Sequence, residues 1–276
     1  MNERRRETLI LLLLYHLSLI SIVHSWVTLN SVYSQHRSVL HMTDSNGRPR
    51  ILGVCGGIGS GKSSACRTLV EELGCIGHID SDRLAHTVYE PGPTSAIGDV
   101  VAEFGSSILQ EGQQEAVIDR QKLGSIVFAD DSAMNKLERI VWPHVRRKVQ
   151  AKIEQLSNSW VANPKQFQHP VIVLEAAVLL DAGWQDDVDG VWVVCTSRDV
   201  ALQRLQSSRG LSEEEATKRM DAQQSRRGIG NLQEEVSKGV VTAVLGNDGS
   251  AEDLRTALQS KLDDKSAWNP SDSLDR

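Results

Sequence analysis

Eight consecutive residues, Gly56-Gly57-Ile58-Gly59-Ser60-Gly61-Lys62-Ser63, fit the spacing G-x-x-x-x-G-K-S/T of a loop that cradles phosphates. Glycines let successive backbone N–H groups turn inward on a β-phosphate, and the N-terminus of a following helix adds partial positive charge. Lys62 is placed to bridge the β- and γ-phosphates, and the Ser63 hydroxyl to ligate Mg²⁺. Gly57, Ile58, Gly59, Ser60, Gly61, Lys62, Ser63 and Ser64 are therefore the expected ATP contacts. The loop has a strand pattern before it and a helix pattern after it, which is the context it needs. On its own it means nucleotide binding, and it leaves small-molecule kinases, GTPases and ATP-driven motors open. The short chain and the lack of an N-K-x-D base-reading motif disfavour a GTPase.

A second group of candidates is acidic. Asp80 and Asp82 follow the next apolar run, at the edge where open α/β sheets bind ligands. One carboxylate there can accept or orient the proton of an acceptor hydroxyl. Its neighbour can bind the acceptor or hold Mg²⁺ through water. Either can also cap the helix that begins there. Glu175 ends a later apolar run, near where a Walker B acid sits. It reaches Mg²⁺ through water, or it is an ordinary acid at a helix start; the residues leave both open.

The elements that must hold these groups read as a β-loop-α-β start. A strand over 51–55 precedes the loop. A helix over 62–73 stops at Gly74, and a strand over 75–79 follows, expected beside the phosphate-loop strand. Residues 83–160 show helical stretches broken by Pro91-Gly92-Pro93, Gly105, Gly112 and Pro143, and read as a helical insert able to build an acceptor pocket. A polar loop is expected over 158–170. Buried strands are expected over 171–174 and 191–195, then a helix from Ser197 to Ser208. Ser212-Glu213-Glu214-Glu215 has capping-box form. A last strand over 240–245 and a helix over 253–262 close the domain, and 263–276 reads as a flexible tail.

The 276 residues suffice for one large α/β domain. A hydrophobic share of 40% and a charged share of 24% suit a soluble globular protein. The net charge of −6 argues against a nucleic-acid partner, which calls for a basic face. Cys55, Cys66, Cys75 and Cys195 form no C-x-x-C pair and read as buried, reduced thiols.

The N-terminus reads as a presequence. Arg4, Arg5 and Arg6 precede an apolar run over 9–23, and Val23-His24-Ser25 offers a cleavage site. Residues 1–25 are thus signal-like. Membrane contact is expected only through this segment, and only if it stays uncleaved. Residues 26–43 contain no Asp or Glu and carry Ser31, Ser34, Arg37 and Ser38. Residues 26–49 therefore read as transit-like or linker, with Trp26 at the junction. The order resembles the bipartite plastid presequence of algae with secondary plastids. Entry into the endoplasmic reticulum or the secretory pathway is the second reading, and mitochondrial import the third.

Four stretches together resemble dephospho-coenzyme A kinases. They are Gly57-Ile58-Gly59-Ser60-Gly61-Lys62-Ser63, Ile79-Asp80-Ser81-Asp82, Tyr89-Glu90-Pro91-Gly92, and Val173-Leu174-Glu175-Ala176-Ala177-Val178-Leu179-Leu180-Asp181-Ala182-Gly183-Trp184. Gly210-Leu211-Ser212, Arg219 and Gln223 continue the likeness, which spans roughly 51–260. The fourth stretch is especially similar to the kinase half of the animal bifunctional coenzyme A synthase, although the chain has no room for the adenylyltransferase half. The resemblance implies an α/β P-loop kinase fold, with a five-stranded parallel sheet between helices, a helical acceptor insert over 83–160 and a short lid over 200–227. It implies transfer of the γ-phosphoryl of Mg-ATP to the ribose 3′-hydroxyl of dephospho-coenzyme A. In it Asp80 is the base or orienter, Asp82 binds the acceptor, and Asn247 lies in an adenine-contacting turn that is otherwise a plain Asx turn.

Three departures qualify the likeness. Trp142-Pro143-His144 stands where many members have His-Pro, so His144 takes no role, and Val178 replaces a common proline. The lid of the family has two arginines four apart, whereas here Arg204 has Ser208 at that spacing and Arg209 one residue later. Arg204 is the expected principal contact to the transferring phosphoryl, and Arg209 an auxiliary one. Another P-loop kinase, of a nucleoside monophosphate or a sugar acid, is the nearest alternative. A nucleotide-binding scaffold with weak turnover is the second, and the Asp80–Asp82 pair speaks against it.

Overall fold

The structure, a computed structural model, describes residue 43 and residues 47–92, 94–113, 115–226 and 232–269. The signal-like segment, nearly all of the transit-like segment, Arg227 at the end of the lid and the chain from 270 onward lie outside the described residues. Among the described residues no helix is long and apolar enough to cross a membrane.

Five strands form one sheet: β1 (Arg50–Gly56), β2 (Cys75–Asp80), β3 (His169–Glu175), β4 (Gly190–Cys195) and β5 (Ala243–Gly246). Every pairing is parallel and the order is β2-β3-β1-β4-β5. The side chains alternate between two cores with the period of two that a strand imposes. Leu52 and Val54, Val171 and Val173, and Trp192 and Val194 enter one core. Cys55, Ile172 and Leu174, and Val191 and Val193 enter the other. Each fully buried aliphatic side chain contributes about 1.5–3 kcal/mol.

The order corrects one expectation. β2 does not lie beside the phosphate-loop strand, because β3 stands between them. The sequence of β3 explains this. Val171, Ile172, Val173 and Leu174 are buried on both faces, and only an inner position gives such a strand two neighbours and two covered faces. β2 carries the half-exposed His78 and Asp80, which suit an edge.

One face is covered by α1 (Lys62–Arg67), continued by a π-helical turn over Thr68–Glu72, and by α9 (Ala251–Asp263). The opposite face carries the helices between β2 and β3: α2 (Ser81–Thr87), α3 (Ile97–Phe104), α4 (Arg120–Val127) and α5 (Asp131–Ala162). After β4 come α6 (Arg198–Arg209), α7 (Glu213–Arg226) and α8 (Leu232–Ser237). The Ser212 capping box of α7 forms, with the Ser212 amide and hydroxyl donating to Glu215.

Pro143 does not break the helix it sits in, contrary to the sequence reading. α5 runs through it for 32 residues. An interior proline costs about 3 kcal/mol. Val141, Val145 and Val149 lie four apart on one buried stripe that spans the proline, and their burial outweighs that cost. His144 is also buried, with Nε2 2.8 Å from Asp99 and Nδ1 3.2 Å from the Thr94 carbonyl, so it ties α5 to α3. α5 also reaches further than the expected polar loop allowed, and the connection to β3 is only 163–168.

The tail needs the other correction. Its first residues are packed, not free. Trp268 is 5% exposed and lies against Trp192 with ring centroids 5.5 Å apart. The Trp192 indole donates to the Ala267 carbonyl at 2.7 Å, and the Arg50 guanidinium sits 5.4 Å over the Trp268 ring. The Asn269 amide donates to the Asp189 carbonyl at 2.8 Å. A polar composition concealed one large apolar anchor. Trp268→Ala should therefore destabilise the fold by about 3–5 kcal/mol, measured by urea unfolding. An unchanged midpoint would show that the tail is not anchored.

Candidate active site

The phosphate loop joins β1 to α1 and is braced from outside. Within it the Ser60 amide donates to the Gly57 carbonyl at 3.1 Å, and the Lys62 ammonium folds back onto the Gly56 and Gly57 carbonyls at 2.9 and 3.3 Å. Positive charge is thus held at the loop itself. Asn247 donates from its side-chain amide to the Ser60 carbonyl at 2.7 Å. Arg204 of α6 donates to the same carbonyl, weakly, at 3.4 Å. Gln223 of α7 accepts the Ile58 amide hydrogen at 2.5 Å. Gly61 has φ +92°, and a Cβ there would lie 2.2 Å from the Asn247 amide nitrogen. Only glycine fits between the loop and its brace. Ser63 and Ser64 stand exposed on the first turn of α1.

Asn247 thus braces the phosphate loop with its side-chain amide. It is 6% exposed and directly follows β5. The next residue, Asp248, accepts from the Thr196 hydroxyl and the Ser197 amide, and these bonds hold its carboxyl below the usual range.

The lid arginines also separate. Five residues along a helix rotate a side chain by about 140°. Arg204 faces the loop, while Arg209 is exposed at the end of α6. Ser208 is no substitute for an arginine, since its hydroxyl bonds back to the Arg204 carbonyl at 2.5 Å.

The acidic side is built by β3. In the sheet register Glu175 pairs with Asp80, and Val173 with His78. Glu175 is 4% exposed. One of its oxygens accepts the Ser63 hydroxyl at 2.7 Å, and the other lies 3.0 Å from His78 Nε2. Burial pushes this carboxyl up, yet the His78 and Ser63 hydrogen bonds and the nearby His78 and Lys62 charges outweigh it and hold it below its ordinary value. Glu175 is thus kept ionised next to the phosphate loop, and not left as a plain helix-start acid.

Asp80 lies half-buried at the end of β2 and caps α2, accepting the Arg83 amide hydrogen at 2.9 Å. Asp82 stands one residue into that helix. Its side chain is exposed, and its carboxyl is pushed up first by partial loss of water where it faces the cleft and then by the Asp80 charge, against the pull of Lys62. Leu179 and Trp184, from the connection after β3, are buried packing residues.

Two contacts escaped the sequence reading. His78 lies two residues before Asp80, so strand alternation puts both on one sheet face, and that period was the available signal. Gln223 had only family likeness to mark it, because its contact with Ile58 crosses 165 positions.

A phosphate loop at the C-terminal edge of a parallel sheet, facing carboxylates from two neighbouring strands, defines a P-loop kinase. The family model for dephospho-CoA kinase matches residues 50–253. The dephospho-CoA kinase of Geobacter sulfurreducens is 40% identical over 209 residues, covering 76% of this chain and 95% of that one. That of Geobacter metallireducens is 36% identical over 220 residues, covering 80% and 98%. The crystal structure of TT1252 from Thermus thermophilus superposes with a TM-score of 0.57 at 28% identity, covering 78% and 97%. The chain belongs to the dephospho-CoA kinase family.

The raised Asp82 carboxyl has a consequence for stability. The folded chain holds that proton more tightly than the unfolded chain does. The cost of ionising Asp82 is therefore absent below the ordinary Asp value of about 3.9 and appears as pH rises through the raised value. Asp82→Asn should raise Tm at pH 7, and the gain should vanish below about pH 4. A gain that does not change with pH, or a loss at pH 7, would contradict this.

Proposed function

We propose that this enzyme transfers the γ-phosphoryl of ATP to the ribose 3′-hydroxyl of dephospho-coenzyme A, giving coenzyme A and ADP. The observation that carries this reading is the phosphate loop with Lys62, set across Glu175 from the Asp80–Asp82 pair. The acceptor oxygen attacks the γ-phosphorus, the bond from that phosphorus to the β,γ-bridging oxygen breaks, and the hydroxyl proton passes to the Asp80 carboxylate. The capping bond fixes Asp80 by Oδ1, which leaves Oδ2 for the proton. Asp82 orients the acceptor. Such transfers run through a loose transition state, so positioning counts for more than basicity. Lys62 leaves the loop carbonyls for the migrating phosphoryl, and Arg204 takes up charge that develops on its oxygens.

The paired oxygens of Ser63 and Glu175 form a hard, anionic donor set that suits Mg²⁺. The Ser63 hydroxyl would ligate the ion directly and Glu175 through water. When bound, it would neutralise phosphate charge. The helices between β2 and β3 are assigned to closing over the acceptor, and α6 with α7 to the lid.

Residues 1–49 are assigned to carrying the chain through the secretory route to an organelle, with a plastid as the destination. The apolar segment is the one membrane contact in this reading. A reporter fused to 1–49 should leave the cytosol of the source cell; a diffuse cytosolic signal would refute it.

Release of ADP by purified protein should occur with dephospho-coenzyme A and not with AMP, CMP or gluconate. Turnover with one of those three alone would replace the substrate assignment. Arg204→Ala should lower turnover by roughly 10²–10³-fold, the scale of losing one transition-state donor. Because α6 turns Arg209 away from the loop, Arg209→Ala should lower it by less than about tenfold, or 1.4 kcal/mol. A larger loss at Arg209, in steady-state kinetics on both variants, would show that the lid rotates on closure.

A further inference from the structure

Three groups of different chemistry meet beneath the phosphate loop: the Cys66 thiol on α1, the His78 imidazole on β2 and the Glu175 carboxylate on β3. One ligand atom from each lies within 4.8 Å of the other two. This is the single such convergence of histidine, cysteine and carboxylate among the described residues. Local spacing gave no hint of it, because the residues come from three separate elements. Their meeting follows from the strand order, which brings β3 between β1 and β2. Cys66 follows Ser63 by one helical turn, so both point at the same end of Glu175.

We infer that Cys66, His78 and Glu175 form a binding site for one zinc-type divalent cation, and that filling it inhibits the kinase. One soft sulfur, one borderline nitrogen and one carboxylate oxygen make a set that prefers such ions to Mg²⁺, which takes oxygen ligands. Three protein ligands with a fourth position open is a common zinc arrangement. With bonds of about 2.0–2.3 Å, ligand atoms around a tetrahedral ion sit roughly 3.3–3.7 Å apart. His78 Nε2 and a Glu175 oxygen already lie 3.0 Å apart, and all three ligand atoms lie within 4.8 Å of one another, so side-chain adjustment has to set that spacing. His78 can supply the movement, since its side chain is 25% exposed while Cys66 is fully enclosed.

The thiol must lose its proton to solvent as the ion enters. The inhibition follows from Glu175, whose carboxylate would be drawn from the Ser63 hydroxyl to the new ion. The site itself does not depend on the roles assigned to Ser63 and Glu175 in phosphoryl transfer. Only the inhibition does.

The test titrates the full chain with Cd²⁺ and follows the near-ultraviolet thiolate-to-metal absorption, a readout independent of activity. The band should saturate at one ion per chain, disappear in Cys66→Ala and persist in Cys195→Ser. His78→Gln should weaken binding at least tenfold, which keeps the inference testable if Cys66→Ala fails to fold. In assays with excess Mg-ATP, Zn²⁺ should lower turnover at least tenfold, and a chelator should restore it. Cys66→Ala should keep its basal turnover and lose the zinc effect. No band, or a band retained in Cys66→Ala, overturns the site. A stoichiometric band with no inhibition overturns the inhibition, and with it the role proposed for the Ser63–Glu175 pair.

Discussion

Glu175 is almost wholly buried between two strands, and it stays ionised only while its neighbours replace the water it has lost. An isolated carboxylate in that position costs several kcal/mol and takes up a proton instead. Here the Ser63 hydroxyl and His78 hydrogen-bond its two oxygens, and Lys62 adds a favourable charge. The partners come from two elements, Ser63 and Lys62 from α1 and His78 from β2, so the sheet has to be assembled in its observed order before this charge is tolerable. The central place of β3 is therefore a requirement of the site as much as of the core. With β3 at an edge, the phosphate loop and the Asp80–Asp82 pair would adjoin without a buried carboxylate between them.

The phosphate loop depends on contacts made far along the chain. Its Ser60 carbonyl receives both Asn247, after the last strand, and Arg204, on the helix after β4. Its Ile58 amide is taken by Gln223, on the following helix. A glycine-rich loop is entropically costly to fix, and these bonds restrict it from its outer side. They also couple the loop to α6 and α7. Movement of those helices toward or away from the site must make or break bonds to the loop backbone, so their position and the shape of the phosphate cradle are linked. Asn247 illustrates the economy of the arrangement. Its side chain supports the loop, and its backbone amide donates to Cys195 at 2.8 Å, closing the turn after β5.

What the sequence made legible was local. The phosphate loop, the first strand-loop-helix unit, the buried character of 171–174 and 191–195 and the Ser212 capping box all rest on contacts within a few residues, where type and spacing decide. The strand order was not legible, because apolar runs identify strands without naming their neighbours. Pro143 misled for a related reason. The cost of a proline is visible in sequence, but the stripe of Val141, Val145 and Val149 that outweighs it acts through packing against other elements. In the tail, one tryptophan outweighed its polar surroundings. Among site residues, Lys62, Ser63, Asp80, Asp82 and Glu175 could be selected by chemistry and position. His78 and Cys66 could not be joined to Glu175 without the fold, and the offset of Arg209 could be computed from helix geometry while the direction Arg204 faces could not.

The balance of charge at this edge bears on how a nucleotide can enter. Asp80, Asp82 and Glu175 bring three carboxylates to one end of the sheet, opposed by Lys62 and, at the loop, Arg204. After the larger effect of lost water, the Asp80 and Glu175 charges add to the upward push on the Asp82 carboxyl. Two like charges 4 Å apart repel by about 4 kcal/mol at the effective dielectric of a protein surface, so a bare triphosphate would add several such costs together. Part of that repulsion is removed if the nucleotide arrives with a divalent cation attached, and Lys62 can then turn from the loop carbonyls to the phosphate without leaving the carboxylates uncompensated. The acidity of the site would thus favour a cation-complexed nucleotide over the free one, and a neutral acceptor hydroxyl would approach the aspartates more easily than an anionic group.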